Sequence, residues 1–411
     1  MTTVYLSTIT RPAASRRGLK LVGGNVLALG AVSLITDVSA EMVTAILPMY
    51  LVLGLQVSPL AYGVIDGVYT GATAVLRLVG GYVADRVRGR KVVAGLGYAL
   101  SAVAKLGLLA AGPSVGALGA VVAVDRLGKG LRTAPRDALI TLSVPPEALG
   151  RAFGVHRMMD SAGAFLGPLV ALAVLTASAQ SYDAVFVTSF CVATLAVVVL
   201  VLFVREQRAA VPEPSARLGE ALGLLRDSRV RRLLAAACLL GLATVGDGFV
   251  YLLLQRREEL SVLWFPLLAV GTSLSYLLLA TPLGALADRV GRLPVVIGGH
   301  VALAVTYLLL FGPVGGGPLL IVVLGLYGLF YAATDGVLMA LAGPVLPARL
   351  RTTGLALIQT GQALAYLVSS VLFGLAWQVW GPAVASRVAA LTVVLAIAGT
   401  VLLLRNRRTA G

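Results

Sequence analysis

Charged side chains are scarce in this sequence. They make up 12% of its 411 residues, whereas hydrophobic side chains make up 58% and the mean hydropathy is +0.94. A soluble globular domain carries about twice that share of charge, so most of this chain requires a lipid environment. The long Leu, Val, Ala and Gly runs lack the strict alternation of barrel strands, which leaves helices of about 20 residues as the spanning element.

Cysteine and histidine are also rare, with two residues of each. Cys191 and Cys238 fall in or beside apolar stretches and indicate no disulfide framework. We predict no metal site, because two His and six Met give no ligand-rich track. The sequence contains no Gly-x-x-x-x-Gly-Lys-Ser/Thr loop for nucleotide phosphates and no nucleophile with a paired base. We therefore expect no enzyme activity and no cofactor.

Turn residues and charges divide the chain into twelve predicted spans. They lie at about 21–53, 60–82, 92–111, 115–141, 152–176, 184–204, 232–255, 262–285, 295–312, 318–346, 353–379 and 388–404. The one long polar stretch, 205–231, contains prolines and many charges and is typical of a linker. We predict an all-α membrane protein with one six-helix bundle at 1–204, a cytoplasmic linker at 205–231 and a second six-helix bundle at 232–411.

The 33 Lys and Arg residues outnumber the 18 acids and are unevenly distributed. Most of them fall in tails and loops on the side that holds both termini, and only Arg256, Arg257 and Arg387 fall outside the spans on the other side. The positive-inside rule predicts a multi-pass protein of the cell (inner) membrane with both termini in the cytoplasm. We expect no nucleic-acid partner, because the bases are spread over loops without an aromatic-rich face. The outer ends of spans hold Trp264, Trp377 and Trp380.

A short phrase occurs twice, about half the chain length apart. Residues 81–86 read GYVADR and residues 284–289 read GALADR, and each copy is expected in a loop just past a helix. Such repetition is typical of transporters built from two related halves. The acid can meet the N-terminal end of a neighbouring helix and the arginines can pair with acids or lipid phosphates, which suits a gate; alternatively, the loops only set topology. The residues concerned are Gly81, Asp85, Arg86, Arg90, Gly284, Asp288, Arg289 and Arg292.

Both copies resemble the loop motif of the major facilitator superfamily, although the first contains an extra residue, Arg88. In span four, Arg126 followed by Gly130 and Ala134 resembles the arginine motif of that superfamily. Residues 37–42, 132–138 and 156–160 look like those of a bacterial branch of efflux permeases. The resemblance covers essentially the whole chain and implies two pseudo-symmetric bundles that alternate between inward and outward openings.

Span five resembles the glycine-proline motif of proton-driven antiporters, with Ala171-Leu172 in place of its closing glycine pair. Its motif residues are Gly154, Gly163, Gly167 and Pro168. We expect the three glycines to form one stripe that allows a neighbouring helix to approach closely, and Pro168 to break one backbone hydrogen bond. A role in preventing leak and ordinary small-residue packing both fit this pattern.

Ionisable residues within the spans are the main candidates for a functional site, since a charge in hydrocarbon must face a watery cavity or be paired. Asp37 and Glu41 are four residues apart on one face of span one. Together with Asp66 on span two, we expect them to bind protons or a cationic substrate. The alternative is a fixed salt bridge to Arg77 or Arg126 that holds the helices in register.

The spans of the second half contain two acids, Asp247 and Asp335, and no base. Burial without a cation favours the neutral form of a carboxyl group, and a group that exchanges protons is what proton coupling requires. These acids could instead pair across the halves with Arg126 or Lys129. Arg126 itself could displace a proton from an acid, anchor an anionic substrate or pair with the adjacent Asp125.

Polar side chains on spans ten and eleven could line a cavity or hold helices together. The predicted proton and substrate cavity comprises Asp37, Glu41, Asp66, Arg126, Asp160, Asp247, Asp335, Tyr327, Tyr331, Gln359 and Gln362. The favoured function is a monomeric secondary transporter in the lipid bilayer that exports a small organic compound by alternating access, driven by the proton gradient. The alternatives are a uniporter or proton-coupled importer and, more distantly, a polytopic membrane enzyme or sensor.

Overall fold

The computed structural model describes residues 23–86, 89–145, 148–207, 223–313, 315–335, 337–347 and 350–405, and all regular structure in these ranges is helical. The α-helices are α1 Gly24–Met49, α2 Pro59–Arg86, α3 Arg90–Ala111, α4 Val115–Thr141, α5 Leu149–Ala177, α6 Tyr182–Phe203, α7 Ser228–Leu242, α8 Asp247–Arg257, α9 Phe265–Val290, α10 Arg292–Leu309, α11 Gly316–Thr334, α12 Val337–Ala342, α13 Arg351–Trp380 and α14 Pro382–Arg405. A π-helical turn, Tyr50–Gly54, extends α1.

In the part of the chain that the structure describes, these helices form twelve rods, where a rod is either one long helix or two shorter helices that follow each other in the chain. Ten of the rods are long and apolar enough to cross a membrane, and α2 and α4 complete the set. The seventh rod consists of α7 and α8, and the tenth consists of α11 and α12. The predicted twelve-helix membrane fold is therefore confirmed.

The rods pack as two bundles. In the first bundle, α1 packs against α5 and α6, and α4 packs against α2 and α3. In the second, α11 lies between α9 and α10, while α7 and α14 pack on α13. The bundles meet where α2 contacts α13, α5 contacts α9, and α1 contacts α8. We call the end of the molecule at which α1 begins and α14 ends the terminal face.

Several helix boundaries follow local chemistry. Ser114, Ser181 and Asp227 each accept a hydrogen bond from a backbone N–H in the first turn of α4, α6 and α7. These bonds satisfy donors that the start of a helix leaves free. Gly291 and Gly381 adopt φ values of 95° and 82°, in the left-handed region that favours glycine. Each therefore allows the chain to reverse and begin the next helix at once.

Two rods are interrupted, although the spans 232–255 and 318–346 were predicted to be continuous. Residues 243–246 separate α7 from α8, and Asp335 follows the end of α11. At the first break, the N–H of Val245 donates to the hydroxyl of Tyr307 over 2.8 Å, and its carbonyl accepts from Tyr327 over 3.1 Å. Side chains thus replace the lost helical bonds, which is why an unwound segment is tolerated inside the bundle.

The repeated phrase lies within helices, so its predicted position in loops past them is wrong. Asp85 belongs to the last turn of α2, and Asp288 belongs to the last turn of α9. The physical reason is that neither copy contains a proline to end the helix.

Much of the predicted linker lies outside the described residues, which omit 208–222. Its final four residues, 228–231, form the first turn of α7. The boundaries at 1–204, 205–231 and 232–411 stay a prediction.

Candidate functional site

A cavity of about 850 Å³ lies between the two bundles. The wall includes these residues of the predicted cavity: Glu41, Asp66, Asp247, Asp335, Tyr331, Gln359 and Gln362. Asp335 and Gln359 are exposed and belong to segments near the terminal face. The cavity therefore opens toward that face.

The other end of the cavity is closed by contact between α2 and α13, which we call the seam (residues 59–71 and 366–374). A side chain on Gly63 would overlap the carbonyl oxygen of Ser370, and a Cβ on Gly67 would lie 3.0 Å from that of Leu367. A side chain on Gly374 would likewise overlap the backbone at the start of α2. Glycine lets the two backbones touch, so the seam leaves no passage between α2 and α13.

Four aromatic rings fill the space beside the seam and form an aromatic plug. Tyr62 of α2 contacts Phe249 of α8 with ring centroids 4.7 Å apart, and Phe249 contacts Phe373 of α13 at 4.9 Å. Trp377 lies 5.8 Å from Phe249. All four rings are buried, so the plug separates the cavity from the surface beyond it.

Asp66 lies within the seam and connects the bundles. Its carboxylate accepts a hydrogen bond of 2.5 Å from Ser370 and one of 3.3 Å from the Tyr366 hydroxyl, both on α13. Gly246, at the break in the seventh rod, has no room for a side chain because a Cβ there would overlap the Asp66 carboxylate. Within the described residues, Asp66 has no ion pair with Arg126 or any other base.

Asp247 begins α8 directly after that break. It accepts hydrogen bonds from the hydroxyls of Tyr327, at 3.0 Å, and Tyr331. Tyr331 lines the cavity, whereas Tyr327 lies behind the wall, where it is fully buried. Among described residues, Asp247 forms no ion pair with Arg126 or Lys129. Asp247 is therefore bonded to two tyrosines of its own bundle, and the salt bridge to a base of the first bundle that the sequence left open is not formed.

Asp335 lies at the second break, directly after the end of α11. Its carboxylate accepts a hydrogen bond of 3.0 Å from Tyr276 of α9. Gln359 and Gln362 of α13 lie in the same wall. Both breaks therefore place an acid of the second bundle at the cavity.

Glu41 and Asp37 point toward α5, and only Glu41 reaches the cavity wall. A Cβ on Gly167 would lie 2.6 Å from Cβ of Glu41, and one on Gly163 would lie 3.1 Å from Cβ of Asp37. Asp37 lies near Asp160 of α5, and neither residue lines the cavity wall. Gly163 and Gly167 thus allow the face of α1 that carries Asp37 and Glu41 to pack closely against α5.

Acids outnumber bases at the cavity. The described wall contains four carboxyl groups, from Glu41, Asp66, Asp247 and Asp335, and one base, Lys129. Lys129 is close enough to Glu41 and Asp37 to interact with both electrostatically, but it lies beyond ion-pair distance of either acid. The cavity therefore favours positive charge.

Arg126 lies outside the main cavity, in an internal ion cluster of the first bundle. Its Nε lies 3.0 Å from the carboxylate of Asp125, and Lys105 Nζ lies 3.6 Å from the same acid. The guanidinium also stacks over Tyr69, 3.8 Å from the ring centroid. Tyr69 lines the cavity, so this ring separates the cluster from it.

Gly154 departs from the predicted glycine stripe of span five. It is exposed and has no atom within 4 Å of the position of a Cβ, whereas Gly163 and Gly167 are buried against α1. Nine residues at about 100° each place Gly154 on the opposite side of the helix from Gly163. Pro168 lines the cavity.

The second copy of the repeated phrase is at the terminal face. Asp288 and Arg289 are exposed, while Arg292 donates to the carbonyl of Ala340 in α12. Gly284 faces open space. In the first copy, Arg90 begins α3. The surroundings of Gly81 and the side chains of Asp85 and Arg86 lie outside the described part of the chain.

Gln359 and Gln362 of α13 were predicted in the cavity and line its wall, but the residues of α13 that form the seam and the plug were not predicted. Tyr366, Ser370, Gly374 and Trp377 recur every three or four residues and therefore share one helix face. That spacing was the available signal.

Trp377 was predicted at the membrane interface, but it is only 8% exposed because it belongs to the plug. The other two tryptophans are exposed.

Comparison with known proteins identifies the family. The family model for the Major Facilitator Superfamily matches residues 29–271 and 259–411. An uncharacterised MFS-type transporter of Methanocaldococcus jannaschii is 31% identical over 369 residues, which cover 86% of this chain and 89% of that relative. An uncharacterised protein of Mycobacterium tuberculosis is 33% identical over 174 residues, or 42% of this chain and 40% of that protein.

Solved structures share the fold. The nucleoside transporter NupG superposes with a TM-score of 0.77 at 14% identity, covering 92% of this chain and 99% of NupG. An inward-facing, unoccupied bacterial homologue of the human lysosomal transporter Spinster gives a TM-score of 0.71 at 15% identity, covering 97% and 100%. The chain belongs to the major facilitator superfamily, whose members are transporters rather than enzymes.

Proposed function

We propose that this transporter exports a small organic compound in exchange for protons by alternating access. The observation that carries the proposal is the cavity between the bundles, which is sealed at the seam and the plug, open at the terminal face, and lined by four acids and one described base. A proton-driven exchanger needs carboxyl groups that both a proton and a substrate can reach.

The predicted topology supports export as the proposed direction. Basic residues concentrate on the terminal face, which the positive-inside rule places in the cytoplasm. The open cavity would then receive its solute from the cytoplasm. This orientation is what an exporter requires before it releases the solute outside.

The wall chemistry suits a compact solute with a hydrogen-bonding or positively charged group. A volume of about 850 Å³ lies within the range of small-molecule sites. Tyr69, Tyr251, Tyr331 and Tyr366 provide both apolar ring surface and hydroxyl groups in the wall. Aromatic faces beside acids favour a cationic group over an anionic one.

Proton exchange is supported by how the acids are held. Asp66 and Asp247 accept hydrogen bonds from hydroxyl groups rather than from bases. Within the described residues, the side chain of Glu41 forms no hydrogen bond or ion pair, and it lines the cavity together with Pro168. An acid that is not locked in an ion pair can gain and lose a proton at modest cost.

The test has two steps with purified protein. A thermal-shift screen of small organic compounds, run at acidic and alkaline pH, selects the compound that stabilises the protein most. Its flux is then measured in proteoliposomes with and without an imposed pH gradient. We expect flux against the proton gradient, strong reduction in Glu41→Gln and Asp247→Asn, and no change in Asp183→Asn, an exposed acid away from the cavity.

The other outcomes each contradict the proposal in a distinct way. Flux that ignores the gradient in all variants indicates a uniporter. Flux in the same direction as the protons indicates an importer.

A further inference from the structure

The seam contains a charge at the point where the two bundles must separate. We infer that Asp66 is the coupling residue that keeps the empty transporter closed at the seam: its ionised carboxylate holds α2 to α13 until a proton or a positively charged solute neutralises it. This inference rests on the proposed exchange function and assigns the residue that enforces it.

The hydrogen bonds of Asp66 fit an ionised group. Ser370 lies at 2.5 Å and Tyr366 at 3.3 Å, and both are hydroxyl donors from the opposite bundle. An ionised carboxylate only accepts, so it can use both donors, and hydrogen bonds to a charged acceptor are about twice as strong as neutral ones. Neutralisation weakens both contacts at once.

The position of Asp66 links the cavity to the closed end. Its side chain lines the cavity, while Gly63 and Gly67, close to it along α2, form backbone contacts of the seam. One turn away, Tyr62 belongs to the plug. A solute that reaches Asp66 from the open end therefore acts directly on the contact that must open.

An exchanger must open its closed side only when it carries one of its two ligands. If the empty form could reopen at the other side, protons and solute would move independently. An ionised Asp66 keeps the seam closed in the empty state, and the arrival of either positive species removes the charge that holds it. The bonds to Ser370 and Tyr366 then become weak enough for the seam to part.

The surroundings leave Asp66 without a competing base. The groups that face it are Tyr62 on its own helix, Asp247 from α8 and Tyr366 from α13. Glu41 of α1 and Lys129 of α4 line the same cavity. Since none of the described bases lies within ion-pair distance of Asp66, its charge state depends on what enters the cavity.

The test measures the seam itself and needs no solute. Spin labels are attached at Ser58 and Gln378, which are exposed at the seam ends of α2 and α13, in a protein whose Cys191 and Cys238 are replaced by serine. Pulsed electron resonance gives the distance distribution in nanodiscs at a series of pH values. In the parent protein, we expect a short distance at alkaline pH and a growing long-distance population on acidification.

Asp66→Asn should populate the long distance at every pH, with the ratio of open to closed forms raised about tenfold or more, as expected for the loss of a charged hydrogen bond. Ser370→Ala keeps the acid but removes the closer donor, so it should raise the open population and retain the pH dependence. Asp183→Asn should match the parent. A seam that stays closed in Asp66→Asn, or that opens with acid as in the parent protein, would overturn the inference.

The two proposals fail separately. If the distances respond as expected but solute flux ignores the pH gradient, the exchange function is wrong and Asp66 remains the residue that holds the seam. If flux follows the gradient while the distances in Asp66→Asn do not change, exchange stands and another residue couples it.

Discussion

Asp66 and Ser370 are 304 positions apart in the sequence, yet a hydrogen bond of 2.5 Å joins their side chains across the two bundles. The bond lies where the glycines of α2 bring two helix backbones into contact. The closely packed interface between the bundles thus contains a polar contact whose strength depends on the charge of Asp66. Such a contact can be both tight and reversible, as alternating access requires.

The span-five glycines offer a matched pair for testing the packing of α1. Gly167→Ala would place a Cβ 2.6 Å from Cβ of Glu41, whereas Gly154→Ala meets open space. We expect Gly167→Ala to lower stability by about 1–3 kcal/mol, the usual cost of overpacking, and to weaken binding of the screened compound. Gly154→Ala should be nearly neutral. Thermal unfolding and ligand titration of both variants provide the measurement; equal effects would argue against close packing at Gly167.

The break in the seventh rod depends on Tyr327. Its hydroxyl lies 3.1 Å from the carbonyl of Val245 and 3.0 Å from the carboxylate of Asp247. Tyr327→Phe leaves the buried carbonyl of Val245 without its side-chain donor and leaves Asp247 with one of its two tyrosine donors, so it should cost about 1–3 kcal/mol. Tyr276→Phe, which removes the bond to the exposed Asp335, should cost less. Chemical denaturation in detergent compares the two, and an identical loss would show that burial of the break does not matter.

The internal ion cluster should be structural. Asp125→Asn leaves Lys105 and Arg126, each only 4% exposed, without their acid. Uncompensated buried charge costs about 3–5 kcal/mol, so we expect poor folding and a large fall in Tm. Asp137→Asn removes an acid that is 42% exposed and paired with Arg136, and should cost less than about 1 kcal/mol. A mild effect of Asp125→Asn would indicate that water reaches the cluster.

Membrane orientation can be tested with single cysteines in the serine-substituted background. Gln180 lies in the exposed turn between α5 and α6, and Arg226 lies before α7 at the terminal face. Gln180→Cys should react with an impermeant maleimide in intact cells, while Arg226→Cys should react only after permeabilisation. The reverse pattern would place the termini outside and make the open cavity face outward.

Local sequence patterns were sufficient to predict most of the fold. The predicted span at 115–141 coincides with α4, because Ser114 caps its start and the chain turns after Thr141. The acids Glu41, Asp66, Asp247 and Asp335 were identified because charge in an apolar span needs a cavity or a partner. Both results rest on properties of single segments.

The remaining features depend on contacts between distant segments. The break at 243–246 forms because Tyr307 and Tyr327 satisfy the backbone of Val245, and no local pattern reveals such partners. The role of Ser370 depends equally on Asp66 in the other bundle. Gly154 lies outside the predicted stripe for a local reason, because nine residues at about 100° each turn it to the opposite side of α5 from Gly163.

The most direct test of alternating access measures both ends of the transporter in the same preparation. Spin labels at Ser58 and Gln378 report the seam, and labels at Arg151 and Val290, exposed at the terminal ends of α5 and α9, report the open side. On acidification, we expect the seam distance to lengthen while the terminal distance shortens, with the two populations changing together. If both distances lengthen together, or if neither changes at any pH or with the screened compound, the two bundles do not alternate around the central cavity.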